Sequence, residues 1–192
     1  VLFRSQRFKV IFLGDTGVGK TSIIRNRINE PFNYKMQPTV GSNYEMTEVK
    51  INNELVKLRI WDTAGQEQYQ SIMPVYLRGS QIAVIVGSIT DHLSISDIDN
   101  WVSIVQENEP SCTIIVAINK VDLENDVNKL NDLRLDLHEK YKNMCFVSAR
   151  TGSGINDLFV SVARGGLEAY GNPKDDKESV NINAGTQKTK CC

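Results

Sequence analysis

Apolar runs alternate with stretches of helical spacing from residue 8 to about residue 168. This pattern predicts strands over 8–13, 43–51, 55–61, 82–88, 113–118 and 143–147, and helices over 20–28, 68–78, 94–107, 128–140 and 155–168. The runs Ile82-Ala83-Val84-Ile85-Val86 and Thr113-Ile114-Ile115-Val116-Ala117-Ile118 are apolar without alternation. That suits strands covered on both faces of a parallel sheet. Asn52-Asn53-Glu54 joins 43–51 to 55–61 with a hairpin-length connection, which adds one antiparallel strand. Ile155, Leu158, Phe159, Val162 and Ala163 keep helical spacing and so pack on the sheet. Gly165-Gly166 is expected to weaken the last turns of that helix. The expected fold class is α/β, a mostly parallel six-stranded sheet with one antiparallel strand and helices on both faces.

The pattern stops at Gly171. The segment GNPKDDKESVNINAGTQKTKCC has almost no large apolar residues and reads as a flexible tail. The organisation expected is one domain over 1–170 and a tail over 171–192. With 192 residues the chain is long enough for one sizeable core. Its 23 acidic and 22 basic side chains are balanced, which argues against a nucleic-acid partner. No apolar run reaches the roughly 18 residues of a membrane span, and no signal peptide is visible. Cys112 and Cys145 lie in or beside apolar runs and read as small core residues. No spacing suggests a disulfide framework or a zinc site. His92 and His138 lack partners at ligand spacing and are expected to face solvent, while Trp101 follows Ile98 at helical spacing and reads as core or partly exposed.

Chemistry enters at the end of the first strand. GDTGVGKT (14–21) follows Phe8-Lys9-Val10-Ile11-Phe12-Leu13 and precedes a helical stretch. Gly14, Gly17 and Gly19 admit backbone conformations closed to other residues. Successive N–H groups across Asp15, Gly17, Val18, Gly19, Lys20, Thr21 and Ser22 can then form an anion-binding nest at a helix start. The spacing fits G-x-x-x-x-G-K-[ST], in which Lys20 reaches the β- and γ-phosphates and the Thr21 hydroxyl ligates Mg²⁺. The plain alternative is an ordinary strand-to-helix turn. A P-loop NTPase domain accounts better for three glycines and a lysine in eight positions.

Three more polar clusters fall at carboxyl ends of predicted strands, where open α/β sheets bind ligands. In WDTAGQE (61–67), Asp62 can hold Mg²⁺ through water, the Gly65 N–H can meet a γ-phosphate and Gln66 can orient an attacking water. Taken alone, this segment is equally a turn. In NKVD (119–122), the Asp122 carboxylate suits the paired N–H donors of guanine, which adenine lacks. Asn119 can bridge neighbouring loops, and the Lys120 stem can lie over the base. SAR (148–150) can set backbone N–H groups of Ser148, Ala149 and Arg150 near the base carbonyl, and is the least specific cluster.

In this order the motifs resemble the Ras superfamily of small GTPases over residues 8 to about 168, and this implies GTP or GDP with Mg²⁺ as the ligands. The resemblance implies that Thr39 in PTVG, nineteen residues after Lys20, closes over Mg²⁺ and the γ-phosphate, so that Thr21, Thr39 and Asp62 form the metal set. It places Phe32 edge-on near the base, and the two switch segments at about 33–42 and 64–78. KLRIWDTAGQE (57–67), YLRGS (76–80) and the terminal Cys-Cys resemble the Rab branch. PVYLRGSQIAVIV also resembles the endosomal Rab subgroup. That likeness implies an effector-contacting aromatic triad at Tyr44, Trp61 and Tyr76, and geranylgeranylation of Cys191 and Cys192. It further implies an exchange factor, a GTPase-activating protein, effectors, a Rab escort protein and a GDP-dissociation inhibitor. The expected location is the cytoplasmic face of an intracellular membrane, of endosomal type, in exchange with cytosol. Over 22 tail residues a coil spans roughly 25 Å, enough to separate lipids from the switch.

The chain departs from its relatives in VGSNY (40–44), in Met36 where an aromatic commonly covers the phosphates, in Arg150 in place of lysine, and in IVGSIT (85–90). The first two bear on effector identity and exchange rate rather than on nucleotide class. The implied activity is slow GTP hydrolysis, with Lys20 and backbone donors offsetting phosphate charge and Gln66 positioning water. The alternatives are a guanine-nucleotide-binding module with little hydrolysis, which Gln66 argues against, and an ATPase, which Asp122 argues against.

Overall fold

In the computed structural model, residues 6–39, 41–52, 54–63 and 72–171 are described. Strand β1 (Gln6–Leu13) shows why the sheet needs two covers. Its side chains alternate, as period two requires. Phe8, Val10 and Phe12 enter one core, and Ile11 and Leu13 enter the other. On the first face Ile23 and Ile24 of α1 (Lys20–Arg27) and the apolar stripe of α6 (Ile155–Tyr170) complete the packing. On the second face Met73 and Leu77 of α2 (Met73–Leu77), Ile98, Trp101 and Val105 of α4 (Ile98–Asn108), and Leu137 of α5 (Val127–Lys140) do so.

The sheet order is β2-β3-β1-β4-β5-β6, with β2 at Ser42–Ile51, β3 at Glu54–Thr63, β4 at Ile82–Ser88, β5 at Thr113–Asn119 and β6 at Met144–Phe146. The β2–β3 pair is antiparallel and every other pair is parallel, as expected from the short connection at 52–54. All seven residues of β4 are buried, which explains its lack of alternation. Because β1 pairs with β3 on one side and β4 on the other, the strand order reverses around it. A crevice opens at such a reversal, beyond the carboxyl end of β1.

Two helices differ from expectation. The single helix expected over 94–107 is two, α3 (His92–Ser96) and α4, meeting at Asp97. Asp91 caps α3 by accepting from the Leu93 and Ser94 N–H groups. The Ser94 hydroxyl donates to Asp91 O (2.7 Å) and accepts from the Ser88 N–H (2.9 Å), tying this first turn to the end of β4. The helix expected over 68–78 is described from Met73 to Leu77, with Pro74 in its first turn. Residues 64–71 lie outside the described part. Cys112 is buried and Cys145 half-buried, both free, and His92 and His138 are exposed.

The glycine pair of α6 does not end the helix, which runs on to Tyr170. Gly166 is buried, and a Cβ there would sit 2.6 and 2.7 Å from carbons of the Phe8 ring. Glycine therefore lets α6 approach the sheet closely, an advantage that outweighs its poor helix propensity. Gln6 Nε2 also donates to Gly171 O (3.2 Å), so the end of α6 lies beside the amino end of β1. Gly166→Ala is predicted to destabilise the folded chain by about 1–3 kcal/mol through overpacking. Urea denaturation of the protein tests this, and an unchanged midpoint would mean that the Phe8 ring yields freely.

Candidate nucleotide-binding site

The loop after β1 carries the left-handed backbone that its sequence calls for. Gly14, Gly17 and Gly19 have φ of 131°, 79° and 99°. At Gly19 an added Cβ would run into the Asn119 amide. Lys20 opens α1, is only 5% exposed, and donates from Nζ to Gly14 O (2.7 Å) and Asp15 O (2.9 Å). Burial pulls its ammonium down to about 8, against the raising effect of the Asp62 and Asp15 charges. A buried lysine whose charged form lacks a carboxylate hydrogen-bond partner suits an incoming anion.

Three oxygen-bearing side chains from separate segments meet next to it. Thr21 Oγ1 donates to Asp62 Oδ2 (2.7 Å) and lies 2.8 Å from Thr39 Oγ1. Asp62, at the end of β3, is 2% exposed, and its Oδ1 is buried without a hydrogen-bond partner. Burial pushes the Asp62 carboxyl above its ordinary value, despite the Thr21 hydrogen bond and the Lys20 charge. An orphaned carboxylate oxygen beside two hydroxyls is a hard-oxygen donor set, which fits Mg²⁺. Among the described residues no group of three His, Cys, Asp or Glu could hold a metal.

Two cavities share this loop. One of about 220 Å³ is lined by Gly17, Lys20, Thr21, Ser22, Thr39 and Thr63 among others. A second, of about 330 Å³, is lined by Phe32, Asn119, Lys120, Asp122, Ala149 and Arg150 among others. Asn119, 1% exposed, holds the two halves together. Its Nδ2 donates to Val18 O (2.8 Å), and its Oδ1 accepts from Ala149 N–H (3.0 Å). Lys120 has a left-handed backbone, φ 65°, at the start of the 3-10 turn Val121–Leu123. Such strain in a non-glycine residue concentrates at functional sites. Asp122 Oδ1 accepts from the buried Ser148 hydroxyl, and Oδ2 pairs with Arg150 Nε at 2.8 Å. The site thus joins a glycine-rich loop with a buried lysine to an end whose Asp122 carboxylate is held by Ser148 and Arg150.

A model of the Ras family matches residues 9–167, nearly the whole described domain. The chain belongs to the Ras family of small GTPases. It is a GTPase, converting GTP and water to GDP and phosphate. Mouse (Mus musculus) Ras-related protein Rab-22A is 38% identical over 162 residues, covering 83% of each chain. Tobacco (Nicotiana tabacum) Ras-related protein Rab5 is 36% identical over 159 residues, 81% of this chain and 79% of its own. Mouse Ras-related protein Rab-31 is 36% identical over 195 residues, 97% of this chain and 98% of its own. These likenesses make this GTPase Rab-like.

On the opposite side of β3, Tyr44 and Trp61 meet edge to face, with ring centroids 5.7 Å apart. Lys9 links Trp61 to the third member of the triad. Its Nζ lies 5.2 Å from the Trp61 ring centroid and donates to Tyr76 O and Arg78 O, both at 2.7 Å. The exposed Met46 and Val75 lie on the same two elements, β2 and α2. Gly65, Gln66, Cys191 and Cys192 lie outside the described residues.

Several site contacts were invisible in the motifs. Thr63 lines the phosphate cavity and donates to Phe12 O (2.7 Å). Tyr34, 81% exposed, lines both cavities, and its ring meets Phe32 edge to face at 5.0 Å. Met36 does not stand clear of the loop, since its Sδ accepts from Ser22 Oγ at 3.6 Å. The side chain of Asp15 turns to Trp101, whose Nε1 donates to Oδ1 at 2.9 Å. Asp15 therefore offers the site its backbone and not its carboxylate. Asp122→Asn is predicted to weaken GTP binding and to shift preference towards xanthosine triphosphate, whose extra carbonyl replaces one donor. Competition with fluorescent GDP measures both affinities, and an unchanged preference for GTP would remove Asp122 from base reading.

Proposed function

We propose that this Rab-like GTPase is a switch of membrane traffic that recruits effectors in its GTP state. The observation that carries the reading is the contact of Thr39 with Thr21, beside Asp62. Thr39 lies on the segment 33–42, so Thr21, Thr39 and Asp62, which would hold the ion, tie that segment to the phosphate loop. Mg²⁺ there would supply charge neutralisation at the phosphates. The chain's own residues do the rest. Lys20 and the N–H groups over Asp15, Gly17, Val18, Gly19, Thr21 and Ser22 offset charge on the phosphates. The Gly65 N–H meets the γ-phosphate, and Gln66 orients the attacking water.

At the other end Asp122 reads guanine, Phe32 and the Lys120 stem bracket the base, and Ser148, Ala149 and Arg150 line its carbonyl side. The Asp122–Arg150 pair opens when the base arrives, leaving the carboxylate to its N–H donors. Loss of the γ-phosphate releases Thr39 and Gly65, and the surface carrying Tyr44, Trp61 and Tyr76 then loses its effector-binding form. An exchange factor and a GTPase-activating protein set the cycle, and an escort protein and a GDP-dissociation inhibitor handle the lipidated chain. Cys191 and Cys192 carry two lipids, since one gives only marginal anchoring. Among the described residues no helix is long and apolar enough to cross a membrane. The site of action is the cytoplasmic face of an intracellular membrane of endosomal type, a reading that rests on the resemblance of PVYLRGSQIAVIV.

Cys191→Ser with Cys192→Ser is predicted to move the protein from membranes to the soluble fraction of cells, with GTP affinity unchanged. Fractionation with parallel nucleotide binding tests this. Continued sedimentation with membranes would place the anchor elsewhere and end this account of the tail.

A further inference from the structure

A carboxylate is an odd neighbour for a polyphosphate, yet the second residue of the phosphate loop is Asp15. Its side chain does not line the phosphate cavity, although Thr16 and Gly17 beside it do. The Trp101 indole accounts for this. Trp101 stands on α4, is 4% exposed, and donates from Nε1 to Asp15 Oδ1 at 2.9 Å. The Asp15 carbonyl accepts from Lys20 Nζ at 2.9 Å. One side chain of the second core thus reaches across to the residue that orients the phosphate-binding lysine. Asp97, at the start of α4, adds like charge nearby. Burial raises its carboxyl first, and the Asp15 charge and a side-chain hydrogen bond with Asp15 raise it further, against a lowering bond from Asn100.

We infer that Trp101 is a positioning residue for nucleotide binding, its indole N–H holding the Asp15 carboxylate away from the phosphates and fixing the carbonyl that orients Lys20. Without that N–H, the carboxylate faces Asp97 on one side and can turn towards the phosphate cavity on the other. Two like charges at short range in a partly buried site repel strongly. A hydrogen bond to a charged group is worth about a tenfold effect or more when its partner is removed.

The test is release of fluorescent GDP from the full chain in the presence of Mg²⁺. Trp101→Phe is expected to speed release about tenfold. Adding Asp15→Asn to Trp101→Phe removes the charge that the indole restrains, and is expected to bring release back to within about threefold of wild type. Val105→Ala, a cavity in the same buried helix face, is expected to lower the melting temperature without speeding release. Where Trp101→Phe folds poorly, benzothienylalanine at position 101 replaces the N–H by sulfur in a ring of the same shape and is expected to speed release equally. Release at the wild-type rate from the phenylalanine or benzothienylalanine protein would overturn the inference. So would a failure of Asp15→Asn to rescue, or equal acceleration by Val105→Ala, since either would make Trp101 ordinary core. GDP affinity failing altogether in wild type would instead contradict the family activity, a result distinct from these.

Discussion

The buried carboxylate of Asp62 is the constraint around which the site is organised. One oxygen is held by Thr21, and the other has no partner although it is buried. Burial pushes this carboxyl up and the neighbouring Lys20 ammonium down, so each group is held against its charged form. An isolated domain gains nothing from that arrangement, because an unsatisfied buried polar atom destabilises the fold by about 1–3 kcal/mol. A dication and a polyphosphate would satisfy both groups at once. The frustrated oxygen thus couples stability to a ligand at this site.

Topology is what delivers these groups to one place. Lys20 and Thr21 follow β1, Asp62 and Thr63 end β3, Asn119 ends β5, and Ser148 lies just beyond β6. The order β2-β3-β1-β4-β5-β6 puts β1 at the reversal, so the phosphate loop sits centrally with the other ends around it. Asn119 stitches the loop after β1 to the segment after β6 through Val18 and Ala149. The amino end of β1 serves a different purpose. Gln6 meets Gly171 there, so the end of α6 lies at the end of β1 opposite the phosphate loop.

Much of this was legible in the sequence because it rests on local chemistry. Unbroken apolar runs at 82–86 and 113–118 marked central parallel strands, and three glycines before Lys20 marked the nest. What escaped reading depends on contacts distant along the chain. Gly165-Gly166 read as a weak helix end, whereas Phe8, far away in the sequence, makes Gly166 a packing requirement. The Ser94 hydroxyl bonds that tie the first turn of α3 to the sheet need the end of β4 in place. Trp101 fitted a core stripe, and only the fold shows that its polar edge reaches Asp15. Lys9 belongs to no motif, yet it joins Trp61 to the end of α2.

The central claim is that Thr39 is drawn to Thr21 and Asp62 by a ligand that includes the γ-phosphate. Hydrogen exchange across residues 33–42, compared between Mg²⁺ with a non-hydrolysable GTP analogue and Mg²⁺ with GDP, tests it most directly. The account predicts slower exchange of that segment in the GTP-analogue state, while α6 exchanges equally in both. Identical exchange of 33–42 in the two states would contradict it.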